Sequence, residues 1–155
     1  MGTTSIDRPD EELRSITLPA ELEKLEAVQD FVEAIMEEGG AGMKVICTVN
    51  VAVEEMFVNV CHYAYGEDGG EVKVEAGIIS QSGLSDNEGA KAIRIRLTDS
   101  GIPYDPLAKE DPDITLPAEE RPIGGLGIYM VKKSMDRVSY EYKDGKNIFT
   151  MEKGI

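Results

Sequence analysis

At 155 residues, with 41% hydrophobic and 30% charged side chains, the chain has apolar material for one cored domain and too little length for two ordinary ones. Its 30 acids against 16 bases leave a net charge of −14, which repels nucleic acid backbones and anionic lipid, so the expected direct partner is a protein or a small molecule. Cys47 and Cys61 suggest neither a disulfide framework nor a zinc site, no apolar run reaches membrane-span length, and MGTTSIDRPDEELR carries no signal pattern, so the expected compartment is the cytoplasm.

Residues 1–11 are expected to be a flexible N-terminus before a domain over 12–155. ELRSITL (12–18) alternates like a strand that Pro19 ends. From 20 to 38, Leu22, Leu25, Val28, Val32, Ile35 and Met36 recur at helical spacing, and Gly39-Gly40 stop them. A second helix is expected over 46–64, with Val49, Val53, Phe57 and Val60 toward the core, although its β-branched residues leave a strand over 45–53 open. EVKVEAGII (71–79) and KAIRIRLTD (91–99) alternate strictly and predict neighbouring antiparallel strands. Five prolines then break periodicity over 102–123, in the manner of a lid or binding loop. Helical spacing resumes at Leu126, Ile128, Val131 and Met135, and RVSYEYK and NIFTMEK flank a turn at Asp144-Gly145-Lys146. This order predicts an α+β two-layer sandwich, a mostly antiparallel sheet covered on one face by three helices.

Three segments bear chemistry. In EEMFVNVCHYAY (54–65), Glu55 and Asn59 are four apart and share a helix face with His62. That stripe reads as a solvated face, or as a carboxylate base beside a metal-orienting amide oxygen; magnesium needs few protein ligands beyond phosphates. In LTDSGIP (97–103), Asp99 reads as an ordinary turn acid, or as an ionised acceptor for an exocyclic amine such as that of adenine. In RPIGGLGIYMVKK (121–133), glycines open a helix, as loop closure or as an anion cradle for phosphate. No GxxxxGK[ST] is present, Met130 fills the third glycine position of GxGxxG, and no strand precedes it, so neither a P-loop nor a Rossmann site is indicated.

Taken in order, EEMFVNVCHYAY, TDSGIPYDPL and ERPIGGLGIYMVKKSMDRVSYEYKDGKNIFTM resemble the N-box and two glycine boxes of the GHKL ATPases, the superfamily of gyrase, heat-shock chaperone, histidine kinase and mismatch-repair ATP-binding domains. The closest resemblance is to the small bacterial anti-sigma factor serine/threonine kinases, and it spans about residues 12–153. It implies a Bergerat-type fold that binds ATP and Mg²⁺. It implies that Glu55 is the general base, Asn59 the magnesium ligand, Asp99 the adenine-reading acid, and Gly101 the glycine turning beneath the base. Gly125, Leu126 and Gly127 match the hinge and phosphate cradle, Thr150 a late-strand hydroxyl near adenine, and 104–123 the lid. Arg121 is either a phosphate clamp or a surface charge of that lid. In one departure, Tyr63 stands at the family's usual histidine position and His62 falls one place earlier, without an assigned role.

Over 105–121 six acids, Asp105, Glu110, Asp111, Asp113, Glu119 and Glu120, oppose only Lys109 and Arg121, so most are expected to face away from a triphosphate. The resemblance further implies partner switching between a sigma factor and an anti-sigma antagonist phosphorylated on serine, in a group where homodimers are common. A non-catalytic module whose nucleotide sets the lid position is the competing reading, which Glu55 argues against. A detached histidine-kinase domain is disfavoured, since the single histidine, His62, lies inside the nucleotide box.

Overall fold

The structure, a computed structural model, describes residues 13–80, 90–108 and 126–155, with Leu126 described in its backbone only. The expected flexible N-terminus and most of the lid, with Arg121, Gly125 and the acids from Glu110 to Glu120, lie outside the described residues.

The described elements follow the expected order: β1 (Arg14–Pro19), α1 (Leu25–Glu38), α2 (Met43–Tyr63), β2 (Glu71–Ser80), β3 (Lys91–Asp99), α3 (Leu126–Ser134), β4 (Arg137–Lys143) and β5 (Lys146–Gly154). The strands form one sheet in the order β1-β2-β3-β5-β4, with every neighbouring pair antiparallel. Side chains alternate across it. Val72, Val74, Ala76, Ile93, Ile95, Leu97, Phe149 and Met151 are buried on the face that the helices cover. The other face is polar and carries a close ion pair, Arg94 Nε to Glu152 Oε2 at 2.7 Å. The hairpin from β4 to β5 turns at Asp144 and Gly145, both with positive φ, the geometry that a two-residue loop needs to match strand twist.

Val28, Val32, Ile35 and Met36 of α1 are buried, but the helix starts later than the apolar spacing suggests: Leu22–Lys24 is a 3-10 turn, and Leu22 is left exposed. Residues 45–53 are helical, not a strand. Ile46, Val49, Ala52, Val53, Met56 and Phe57 enter the core at helical spacing, and that burial outweighs the weak helix propensity of the valines. α2 is long and apolar enough, by length and composition, to span a membrane, which corrects the expectation that no stretch is. The cause is charge placement: its Glu54-Glu55 pair and Lys44 leave the remainder uncharged. Here α2 packs between α1 and α3, over the sheet.

Candidate functional site

The site lies where the C-terminal end of α2 meets the end of β3. Antiparallel register sets Asp99 opposite Asn147 of β5, so both side chains emerge on the helix-covered face, and both are buried. Asp99 Oδ1 accepts hydrogen bonds from the Gly101 N–H and from Asn147 Nδ2, each at 2.9 Å. Asn147 Nδ2 also donates to the Ile102 carbonyl at 2.8 Å, while its Oδ1 accepts from the Tyr104 N–H at 3.1 Å and from the Tyr140 hydroxyl. Both donors and both acceptor sites of this amide are used. Burial pushes the Tyr140 phenol above its ordinary pKa, which keeps it an O–H donor. One carboxylate oxygen of Asp99 is thereby fixed, and its second makes no hydrogen bond among the described residues.

The turn after Asp99 is tied to α2. Ile102 N–H donates to the Ala64 carbonyl at 2.9 Å, and a Cβ on residue 101 would stand 2.0 Å from that same oxygen. Only glycine permits this approach. Tyr65 Oη accepts from the Ser100 N–H at 2.8 Å and donates to the Glu71 carbonyl, bracing the turn from behind. The resulting cleft holds about 400 Å³ of space open to solvent, walled by Met56, Val60, Leu97 and Phe149, with Asp99, Asn147 and Asn59 as its polar groups. Apolar walls with a few placed polar groups suit a flat heterocycle. Tyr63 stacks on Tyr104 at this rim, ring centroids 5.5 Å apart, while His62 is exposed beside it and is not part of the lining.

Asn59 and Glu55 occupy successive turns of α2, with different surroundings. Asn59 is half-buried on the cleft wall, and its carboxamide has no hydrogen-bond partner among the described residues. Glu55, one turn back, lies against the first turn of α3, where a Cβ on residue 127 would stand 2.1 Å from Glu55 Oε2. Gly127 is what lets the carboxylate sit there. Among the described residues Glu55 has no ion pair and no hydrogen bond. No group of three His, Cys, Asp or Glu side chains among them could hold a metal alone. That donor set suits an ion that takes one or two protein oxygens and keeps its waters, and the unengaged Asn59 oxygen fits Mg²⁺.

A family model described as the histidine kinase-like ATPase domain matches residues 18–153. The chain belongs to that family. Among curated relatives of this ATPase domain, it is 24% identical over 135 residues to the serine-protein kinase RsbW of Bacillus cereus strain AH187, covering 84% of this chain and 78% of the relative. The Bacillus anthracis RsbW matches at the same identity and coverage. The RsbU and RsbW domains of Rv1364c from Mycobacterium tuberculosis share the fold at TM-score 0.59 and 17% identity, over 91% of this chain and about a third (32%) of that one. The SiaB–SiaC complex of Pseudomonas aeruginosa contains a neighbour at TM-score 0.55 and 15% identity, covering 100% of this chain and 98% of that one.

Within this histidine kinase-like ATPase domain, the fold brings Asn59 and Asp99 to one cleft, holds Gly101 in the turn that supports Asp99, and sets Glu55 and Gly127 together beside it. Thr150 is a correction. It lies on the polar face of the sheet, where Arg96 Nε donates to its hydroxyl at 3.3 Å, because a strand turns every second side chain away and Phe149 already faces the helices. Asn147, three residues earlier and in the helix-facing register, is the polar group that reaches Asp99. Sequence reading missed it, and also Tyr104 and Tyr140. The available signal was an amide at a strand position whose same-face neighbours, Phe149 and Met151, are apolar. Of the lid acids, Asp105 alone is described: it is exposed and accepts from the Leu107 N–H at 2.8 Å.

Proposed function

We propose that this protein binds ATP and transfers its γ-phosphoryl group to a serine or threonine hydroxyl of an anti-sigma antagonist protein, as an anti-sigma regulatory kinase of the cytoplasm. One observation carries the enzymatic half: a carboxylate, Glu55, is held against the start of α3 by a glycine contact and is engaged by no cation or donor among the described residues. A pure nucleotide binder has no use for an unpaired acid there, where it opposes phosphate. A hydroxyl presented to it loses its proton as the O–P bond forms.

At the other end, the open oxygen of Asp99 accepts from an exocyclic amine, with the ring between the apolar walls. Asn59 would hold Mg²⁺, which when bound supplies neutralisation of phosphate charge. The helix dipole of α3 and backbone N–H groups near Leu126 and Gly127 favour the phosphates, with Gly125 and Arg121 as further candidates. Phosphoryl transfer asks the protein mainly for this positioning. Sequestration of a sigma factor and assembly as a homodimer belong to the same reading, drawn from the resemblance of the sequence to the anti-sigma kinases.

The test incubates the protein with γ-labelled ATP, Mg²⁺ and a candidate antagonist. Label transfer that Glu55→Gln abolishes, with calorimetric ATP affinity retained, is the expected result. ATP binding without transfer to any antagonist makes it a nucleotide-gated binding module instead.

A further inference from the structure

The ridge of α2 that carries Glu55 and Asn59 continues toward the helix N-terminus. Positions four apart along it read Met43, Cys47, Val51, Glu55 and Asn59, and such residues are neighbours on a helix surface. The first three are apolar and turned to water: Met43 is 73% and Val51 57% exposed, and Cys47 is exposed as well. Facing them, α3 buries Ile128 and Val131 but leaves Met130 51% exposed. Between the two helices runs a groove with about 470 Å³ of open space, its floor Ala52 and Val131, its far end Thr48 and Ser134, and its near end Glu55. An apolar surface that a chain of charge −14 keeps uncovered marks an interaction site, and methionine adapts to a partner's shape.

The position of Glu55 says what that partner is. A general base acts on a hydroxyl within hydrogen-bond reach. With nucleotide on the Asp99 and Asn59 side, the approach left to the acceptor is along this groove. Exposed Lys44, one turn before Thr48 on the same face, adds a cation to the rim of an otherwise acidic molecule.

Resting on the kinase reading above, we propose that the groove between α2 and α3 is the docking site of the phosphoacceptor protein. This partner packs apolar side chains on Met43, Val51 and Met130, sets an acid against Lys44, and so brings its serine or threonine over Glu55.

Initial rates of label transfer from γ-labelled ATP are measured with purified SiaC and with the antagonists of the bacillus RsbW kinases as acceptors. In Val51→Glu and Met130→Glu the KM for the acceptor rises at least about tenfold, while kcat at saturation and ATP affinity stay within about twofold and Val51→Leu keeps the wild-type KM. Both side chains are exposed, so the charges leave the core intact, and circular dichroism checks this. A wild-type KM in both glutamate variants overturns the docking site and leaves the kinase reading standing. No transfer by the wild-type protein to any acceptor overturns that reading and this site with it. If Val51→Glu instead turns a sedimenting dimer into monomer at unchanged KM, a second copy covers the groove and the proposal is wrong.

Discussion

The two ends of the site are built in opposite ways. Around Asp99, the supporting groups are engaged and one carboxylate oxygen is left open: Asn147 uses its whole amide, Gly101 lies under the Ala64 carbonyl, and Tyr65 and Tyr140 brace the surrounding backbone. Around Glu55 and Asn59, the polar groups have no partners among the described residues. A satisfied network holds its shape before ligand arrives, whereas charged and amide groups left open wait for an ion and phosphates to complete them. The base end is therefore coupled to folding, and the phosphate end to chemistry.

Substitutions can break or sharpen that contrast. The largest effect on stability is expected at Gly101→Ala, where the new methyl meets backbone 2.0 Å away and neither chain segment can yield easily. Overpacking of this kind costs about 1–3 kcal/mol, a fall of roughly 2–10 °C in Tm by calorimetry, with adenine nucleotide affinity reduced as well. Asn147→Ala comes next: it leaves Asp99 and the Ile102 carbonyl short of a donor, for a loss of about 1–3 kcal/mol in denaturant unfolding and weaker ADP binding. Glu55→Gln should leave unfolding within about 0.5 kcal/mol of wild type while transfer disappears. A large stability loss there would erase the contrast. Thr150→Val, on the far face, removes one long hydrogen bond and should leave nucleotide affinity unchanged by calorimetry.

A last, small effect concerns pH. Burial, with lesser contributions from the carboxylates of Glu23 and Glu21, pushes the Cys61 thiol up to about 11. The fold thus favours the protonated thiol; this stabilisation is complete below the ordinary thiol pKa and is lost as pH rises through about 11. Iodoacetamide at about pH 8 should label exposed Cys47 and spare Cys61, read by mass spectrometry.

What the sequence by itself determined was element type and order. Strict alternation in 71–79 and 91–99, helical spacing in 20–38, and Asp-Gly between two strands are local signals, and each element formed as its own periodicity directs, apart from the first turn of the helix, which is 3-10. Asp99 and Gly101 were legible for the same reason, since a strand end and a tight turn are local events. Helix 43–63 was less so, because its valines favour strand locally and only burial on the sheet decides for helix. Tertiary structure alone decided who meets whom. Thr150 and Asn147 are both polar residues of one strand; apolar Phe149 and Met151 mark the covered face as that of Asn147, but only the register with β3 sets it opposite Asp99, because pairing across strands fixes the position of every side chain at once. The exposed ridge of Met43, Cys47 and Val51 is hidden in the same way: in the sequence it is indistinguishable from core, and it becomes surface only because Val49, Val53 and Phe57 take the sheet-facing side of the same helix.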